Sequence, residues 1–375
     1  MPTTTHVVTG ATGFLAAALV LELAATTDAE ILCLVRPGRT RPEHRLHQAL
    51  TEAATAFDHP PPLLQTALRH ARPIPADLTV DGCGTDPVRL RRAGRLEFWH
   101  SAALLAHGDP YRRRIFATNT AGTRRLLELA RRADADVFNH ISTAYVAGRA
   151  TGLVPETPVH EPSPRNHYEA SKIAAERAVL RADAFPTRIL RPSVVIGHSR
   201  THACPIHYTG AYGIQQRIAA HARLRAHGPS RRLGPIRLRA AENVPFNLVP
   251  VDHVVRQAVE ISLRGPAHGV FHLTNPNPPT AGAMLRTMFG ELRLPEPQLT
   301  TEPTDLSAAD RRLDDLLAFY TPYLLTHPHF DRTRTDAVLT APHQAAFPME
   351  TAVLHAFFGH HARHLDHCYE ALLQS

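Results

Sequence analysis

His6-Val7-Val8-Thr9-Gly10-Ala11-Thr12-Gly13-Phe14-Leu15-Ala16 runs straight into an alanine-rich stretch that ends at Leu23. A short apolar run, closely spaced glycines and a helix-forming segment read as strand, tight turn and helix. Gly10 permits the turn, and Gly13 lets the backbone approach a diphosphate. Small Ala16 lets the helix pack closely on the strand, with its first N–H groups facing the anion. Thr12, Phe14 and Leu15 complete the expected cradle for a dinucleotide. An ordinary strand-to-helix turn is the plain alternative, and strand, glycines and helix together weigh against it.

Working outward, short apolar runs alternate with helical patterns through the first two-thirds of the chain, the βαβ signature of a parallel sheet covered on both faces. Strands are expected near 6–9, 30–35, 72–75, 96–99, 137–142, 187–191 and 269–273, and helices over 13–26, 42–57, 111–133, 167–182 and 251–264. After Ser199 the pattern loosens into Pro/Gly/Arg-rich connections over 228–239, with later helices at about 280–291, 306–325 and 350–373. The fold class that follows is α/β: a doubly wound, Rossmann-type parallel sheet with a smaller, mostly helical C-terminal lobe. The sheet domain is expected over 1–198 with returning segments at about 246–275, and a substrate-binding lobe over 199–245 and 276–375.

Composition narrows the field. With 375 residues, 43% of them hydrophobic, the chain can bury a large core, which excludes disorder. Met1 to Gly10 lacks a basic run followed by an apolar segment, and the most apolar stretch, Phe14 to Leu23, is broken by Glu22. Neither secretion nor a membrane span is expected. Cys33, Cys83, Cys204 and Cys368 form no C-x-x-C pair, which points to a reducing, cytoplasmic compartment. The net charge of +7 is spread as scattered arginines without a basic tail, so nucleic acid is not an expected partner and a phosphorylated small molecule explains the bias equally well. No feature specifies an oligomeric state. Lys172 is the single lysine, and the other 40 Lys+Arg residues are arginine. A compact ammonium kept where the chain otherwise uses guanidinium suggests a site that needs it.

After the second strand, where NAD-preferring sites place a carboxylate, Arg36 stands, with Arg39 close behind. Two guanidinium forks suit a 2′-phosphate, so the expected cofactor is NADP(H); solvated surface arginines are the alternative. Asp77 and Leu78, after the third strand, are placed to touch the adenine.

Tyr168-Glu169-Ala170-Ser171-Lys172 puts a phenol and the ammonium four residues apart, on one face of a helix. A neighbouring ammonium favours the tyrosinate and lowers the phenol pKa, fitting Tyr168 to give a proton to a carbonyl oxygen as hydride reaches its carbon. Lys172 would also hold the nicotinamide ribose. Upstream, Phe138-Asn139-His140-Ile141-Ser142-Thr143 brings hydroxyls to the carboxyl edge of the sheet, where open α/β folds bind ligands. Thr143 is the expected hydroxyl donor and Ser142 the second choice, with satisfaction of strand-end backbone groups as the alternative for both.

These segments together resemble extended short-chain dehydrogenases/reductases, most closely the thioester-reductase and fatty acyl-CoA reductase branch. The likeness rests on T-G-A-T-G-F-L, His100-Ser101-Ala102-Ala103, Asn119 to Thr123, I-S-T-A-Y-V, Y-E-A-S-K, Leu190 to Ser193, Gly197 to Thr201 and Val249 to Asp252, and covers about residues 5–275. It implies that Ala102 and Ala103 line the cofactor, that Asn119 supports the active-site helix and a water relay, and that Pro192, Ser193 and Val194 flank the nicotinamide. It further implies NADPH-dependent reduction of an acyl thioester, on CoA or on a carrier, to an aldehyde or alcohol. A ketone reductase or sugar-nucleotide epimerase or dehydratase shares the catalytic trio and is the main rival. A non-catalytic NADP sensor is a second, and an intact proton-donor set argues against it.

His360, His364 and His367 share a helix face at metal-compatible spacing, but hydride transfer needs no metal and no H-E-x-x-H occurs, so no metal site is expected. Arg112, Arg113 and Arg114 beside Tyr111 offer charge for an acidic carrier or CoA phosphates, and a solvated helix start is the favoured reading.

Overall fold

The computed structural model describes residues 4–374 apart from 107, 206–208 and 227–234, and leaves out the side chains from 368 onward. Residues 228–234 of the Pro/Gly/Arg-rich connection and the side chain of Cys368 therefore lie outside the described residues, whereas Arg237–Arg239 forms a short strand. Seven strands make one sheet: β1 (Thr4–Thr9), β2 (Glu30–Val35), β3 (Ala71–Pro75), β4 (Arg95–His100), β5 (Val137–Ile141), β6 (Thr187–Pro192) and β7 (Gly269–Leu273). Every pairing is parallel and the spatial order is β7-β6-β5-β4-β1-β2-β3. Strand order reverses between β1 and β4, and the crevice at such a switch point is where this architecture binds ligands.

Apart from the edge strand β3, where Arg72 is exposed, the sheet is buried on both faces. One apolar cluster joins Leu19 and Leu23 of the helix Phe14–Thr26 to Val254 and Val255 of the helix Val251–Arg264, with Trp99 and Phe271 from the sheet. The opposite face packs Phe98, Phe138, Leu126, Val179 and Phe185. A separate cluster of Tyr212, Ile218, Met284, Phe289, Leu313, Phe357 and Phe358 gathers the helices Ala211–Ala226, Ala281–Glu291, Ala308–Leu317 and Thr351–Gln374. The segment before the last sheet strand returns to the edge of the fold, where Leu248–Pro250 pairs in parallel with Val194–Ile196.

The expected strands all form. Among the described residues four helices go beyond the sequence pattern: Pro61–His70, which begins on consecutive prolines that suit a first turn but read as a loop, Ala211–Ala226, and the short Thr333–Val338 and Ala341–Gln344. The stretch expected to be one helix over 111–133 runs without a break from Arg112 to Arg132, but a π-helical segment, Ala117–Ala121, lies between Arg112–Phe116 and Gly122–Arg132. The stretch over 306–325 divides into Ala308–Leu317 and Thr321–Leu325, with Pro322 in the first turn of the second.

A polar clamp crosses the sheet. Glu97 Oε1 on β4 accepts from Arg188 Nη1 (2.9 Å), Asn139 Nδ2 (2.8 Å) and Ser262 Oγ (2.6 Å), tying β4, β5, β6 and the helix Val251–Arg264 together. Arg188 also donates to the carbonyls of Pro266 and Ser262. Removing one partner of such a buried pair strands the other charge, so Glu97→Ala should lower unfolding stability by about 3–5 kcal/mol in denaturant titrations.

Candidate active site

The phosphate turn is built by exclusion of side chains. Gly10 has φ +76°, and a Cβ there would stand 2.9 Å from the Ala102 nitrogen. Gly13 N donates to Gly10 O (2.7 Å), closing the turn, and Gly13 caps the helix Phe14–Thr26. The turn thus lies directly on the chain leaving β4, as a cradle for a dinucleotide diphosphate requires. Thr9, not singled out from sequence, is what fixes that neighbour: its Oγ1 accepts from both Ser101 N and Ala102 N at 3.1 Å. Thr12, Phe14 and Leu15 are half-buried around the turn, and Ala103 is exposed beside half-buried Ala102.

Behind Thr9 runs a chain whose proton positions can be worked out. Thr123 Oγ1 donates to Asn119 O (2.6 Å), so it accepts from His100 Nε2 (2.9 Å); His100 Nδ1 is then the acceptor for the Thr9 hydroxyl (2.9 Å). Burial first, and then the charge of Lys172, holds the His100 imidazole down to about 3, so it stays neutral. Asn119 sits in the π-helical segment, and its side chain is fully used. Its Oδ1 accepts from Leu104 N (2.7 Å), and its Nδ2 donates to Leu104 O (3.1 Å) and Ser171 Oγ (2.9 Å). Ser171 Oγ in turn donates to Tyr168 O (2.7 Å), so hydrogen bonds tie Asn119 to the helix His167–Leu180.

That helix starts at Asn166, whose side chain accepts from Glu169 N (2.9 Å). Lys172 is buried and donates from Nζ to Ile141 O at the end of β5 (2.7 Å), with His140 Nε2 3.5 Å away. Ser142 and Thr143 follow at once and are buried; Thr143 Oγ1 accepts from Tyr145 N (3.2 Å), and Ser142 Oγ has no hydrogen-bond partner among the described residues. The helix, the ammonium and both hydroxyls therefore meet at the carboxyl edge of the sheet.

One expectation is corrected here. The phenol of Tyr168 is not made more acidic by its neighbour: burial, and then the charge of Glu169, push it up to about 12. The ammonium is engaged with the end of β5, and its own pKa falls to about 8, mainly through burial, with Glu176 opposing. The Tyr168 hydroxyl forms no hydrogen bond with another described residue, so the phenol stands as a protonated donor with its O–H free.

Arg36 and Arg39 are exposed in the loop after β2. Arg45, inconspicuous in the sequence because it lies inside the helix Pro42–Ala56, donates to Arg36 O (2.5 Å) and adds a third guanidinium to that rim. Asp77 folds back on Thr79, accepting from its N (2.8 Å) and Oγ1 (2.7 Å). Burial would raise that carboxyl, but the Thr79 bonds and the charge of Arg36 hold it below its ordinary value. Leu78 packs against Gly122. At the far side Pro192 is buried, Ser193 Oγ donates to Asn247 Oδ1 (2.6 Å) and Val194 is half-buried.

The histidine face of the last helix does not assemble. His360 is half-buried, His364 and His367 are exposed, the neighbouring His361 is buried against Tyr212 and bonded to Gln215, and among the described residues no three metal-ligating side chains cluster. Arg112, Arg113 and Arg114 are exposed.

Comparison with known proteins gives the site a context. The family model described as male sterility protein matches residues 8–258. An isonitrile lipopeptide synthase of Streptomyces coeruleorubidus is 29% identical over 387 aligned positions, covering 96% of this chain and 24% of that protein. A linear gramicidin synthase of Brevibacillus parabrevis is 28% identical over 285, covering 72% and 5%. The chain thus spans only a small part of the curated relatives it matches. Among solved structures, the terminal R domain of the myxalamid PKS-NRPS biosynthetic pathway has a TM-score of 0.74 at 24% identity, covering 95% of this chain and 90% of that one. A thiolation-reductase di-domain of an archaeal non-ribosomal peptide synthetase has 0.69 at 18%, covering 98% and 91%. The UDP-glucuronic acid 4-epimerase of Bacillus cereus in complex with NAD has 0.63 at 16%, covering 96% and 99%. These likenesses establish a common fold.

The turn supplies a direct check. Gly10→Ala forces a side chain onto the Ala102 backbone at a left-handed φ and should destabilise the fold by about 1–3 kcal/mol. Dinucleotide affinity should fall about tenfold or more in fluorescence titrations, because the turn must open to relieve the clash.

Proposed function

Because the chain belongs to the male sterility protein family and is an oxidoreductase of the extended short-chain dehydrogenase/reductase type, we propose that it reduces an acyl thioester with NADPH. The observation that carries the reading is the burial of the sole lysine against the end of β5, beside Ser142 and Thr143 and one helical turn from a protonated Tyr168.

The bound nicotinamide dinucleotide would supply the hydride. Its diphosphate would lie on the turn at Gly10, Thr12, Gly13, Phe14 and Leu15, its adenosine end between Asp77, Leu78 and the guanidinium rim of Arg36 and Arg39, and its nicotinamide end near Ala102, Ala103, Pro192, Ser193 and Val194. Tyr168 gives its proton to the oxygen of the reacting carbonyl, and the Thr143 hydroxyl, with Ser142 beside it, donates a hydrogen bond to the same oxygen. Lys172 holds the ribose, and Asn119 keeps the helix that carries both in register. The hemithioacetal then breaks its C–S bond, the thiol leaves with the proton, and an aldehyde remains; a second round gives the alcohol.

Similarity to a thiolation-reductase di-domain and to synthases that this chain matches over a fraction of their length supports a carrier-bound acyl group, with an acyl-CoA as the simpler surrogate. The lobe over 199–245 and 276–375 would hold that acyl chain over the sheet domain of 1–198 and 246–275. A cytoplasmic setting fits the buried cysteines Cys33, Cys83 and Cys204, and no helix among the described residues is long and apolar enough to cross a membrane.

A panel of acyl-CoA and carrier-bound thioesters, ketones and nucleotide sugars, each with NADPH, tests the assignment by product analysis. Aldehyde or alcohol from thioesters is expected, and turnover confined to ketones or nucleotide sugars would overturn it. Tyr168→Phe should retain dinucleotide affinity while losing about 100- to 10,000-fold in turnover. Arg36→Asp should weaken NADPH binding about 10- to 100-fold and leave NADH binding nearly unchanged, as judged by the ratio of their dissociation constants.

A further inference from the structure

His140 is the buried group at this site that the proposed chemistry leaves unused. It lies on β5 two residues before Ser142, has no exposed surface, and approaches Lys172 with Nε2 at 3.5 Å from Nζ. An ammonium has only protons to give, so Nε2 must present its lone pair and the ring proton must sit on Nδ1. Nδ1 has no partner among the described residues.

We propose that His140 is a positioning residue for Lys172: a neutral imidazole that, together with the Ile141 carbonyl, occupies two of the three N–H groups of the ammonium and leaves the third for the ligand. Two acceptors on one strand end fix the direction of the long, otherwise freely rotating lysine side chain, which one carbonyl alone would not do.

The charges around the pair are few. On β4, His100 faces it with its ring centroid 5.2 Å from that of His140; on the helix itself Glu176 lies one turn after Lys172 and Tyr168 one turn before. His140 is itself held well below the ordinary histidine range, by burial first and then by the charge of Lys172, so it remains a neutral acceptor at neutral pH.

The inference rests on the reductase reading for what the ammonium serves, yet it is tested with neither substrate nor cofactor present. Because Lys172 is the only lysine, protein grown with lysine labelled with carbon-13 and nitrogen-15 gives a single side-chain Nζ signal whose titration reports this ammonium alone. Removing an acceptor destabilises the charged form, so in His140→Leu the midpoint should move about one to two pH units below wild type. His140→Gln, whose amide oxygen reaches the same place, should titrate close to wild type. General loosening of the core would have the opposite sign, moving the midpoint up toward the ordinary lysine value of 10.5 as water enters. An unchanged or raised midpoint in His140→Leu overturns the proposal, as does a Gln variant displaced as far as the Leu variant. None of these outcomes depends on whether thioesters turn over.

Discussion

The ammonium of Lys172 is buried where β5 ends, held by the carbonyl of Ile141, and the polar interior around it is organised by that one charge. Burial lowers its pKa to about 8, which keeps it mostly protonated at neutral pH, and its charge adds to burial in keeping His100 and His140 neutral. A neutral His100 has one donor and one acceptor, and the Thr123 bond decides which nitrogen is which. The Thr9 hydroxyl is thereby turned toward His100, leaving its oxygen to receive the two N–H groups that follow β4. The same backbone presses on Gly10. The reacting end of the crevice and the phosphate turn are thus joined by hydrogen bonds through the sheet.

The phenol follows a different logic from the one its spacing suggests. A reductase needs a proton donor, and a tyrosine pushed up to about 12 by burial and by Glu169 keeps its proton at neutral pH. The nearby carboxylate is itself committed: Glu169 accepts from Tyr323 Oη (2.5 Å) and Arg165 N (2.6 Å), so the start of the catalytic helix is anchored to the segment Thr321–Leu325. The helix His167–Leu180 and the C-terminal helical region therefore share a structural joint.

What was legible in the sequence was whatever depends on local pattern. Continuous apolar runs gave the seven strands, and Gly10 with Gly13 gave the turn, because parallel strands and left-handed glycines leave signatures within a few residues. Helix Pro61–His70 was hidden by its own first-turn prolines, and the π-helical segment that aims Asn119 has no local pattern at all. Spacing put Tyr168 and Lys172 on one helical face, but it could not say where a four-carbon side chain ends; contacts with β5, some thirty residues upstream, decided that. Thr9 and Arg45 escaped notice because their partners, Ala102 and Arg36, are set by packing between elements.

The account stands on hydride delivery to a thioester carbon at this edge of the sheet. NADPH carrying deuterium on its transferable nicotinamide carbon, incubated with an acyl thioester and the protein, measures that directly by mass spectrometry of the product. The account predicts deuterium on the former thioester carbon of the aldehyde or alcohol. Products free of deuterium, or label found only in a ketone-derived alcohol, would contradict it.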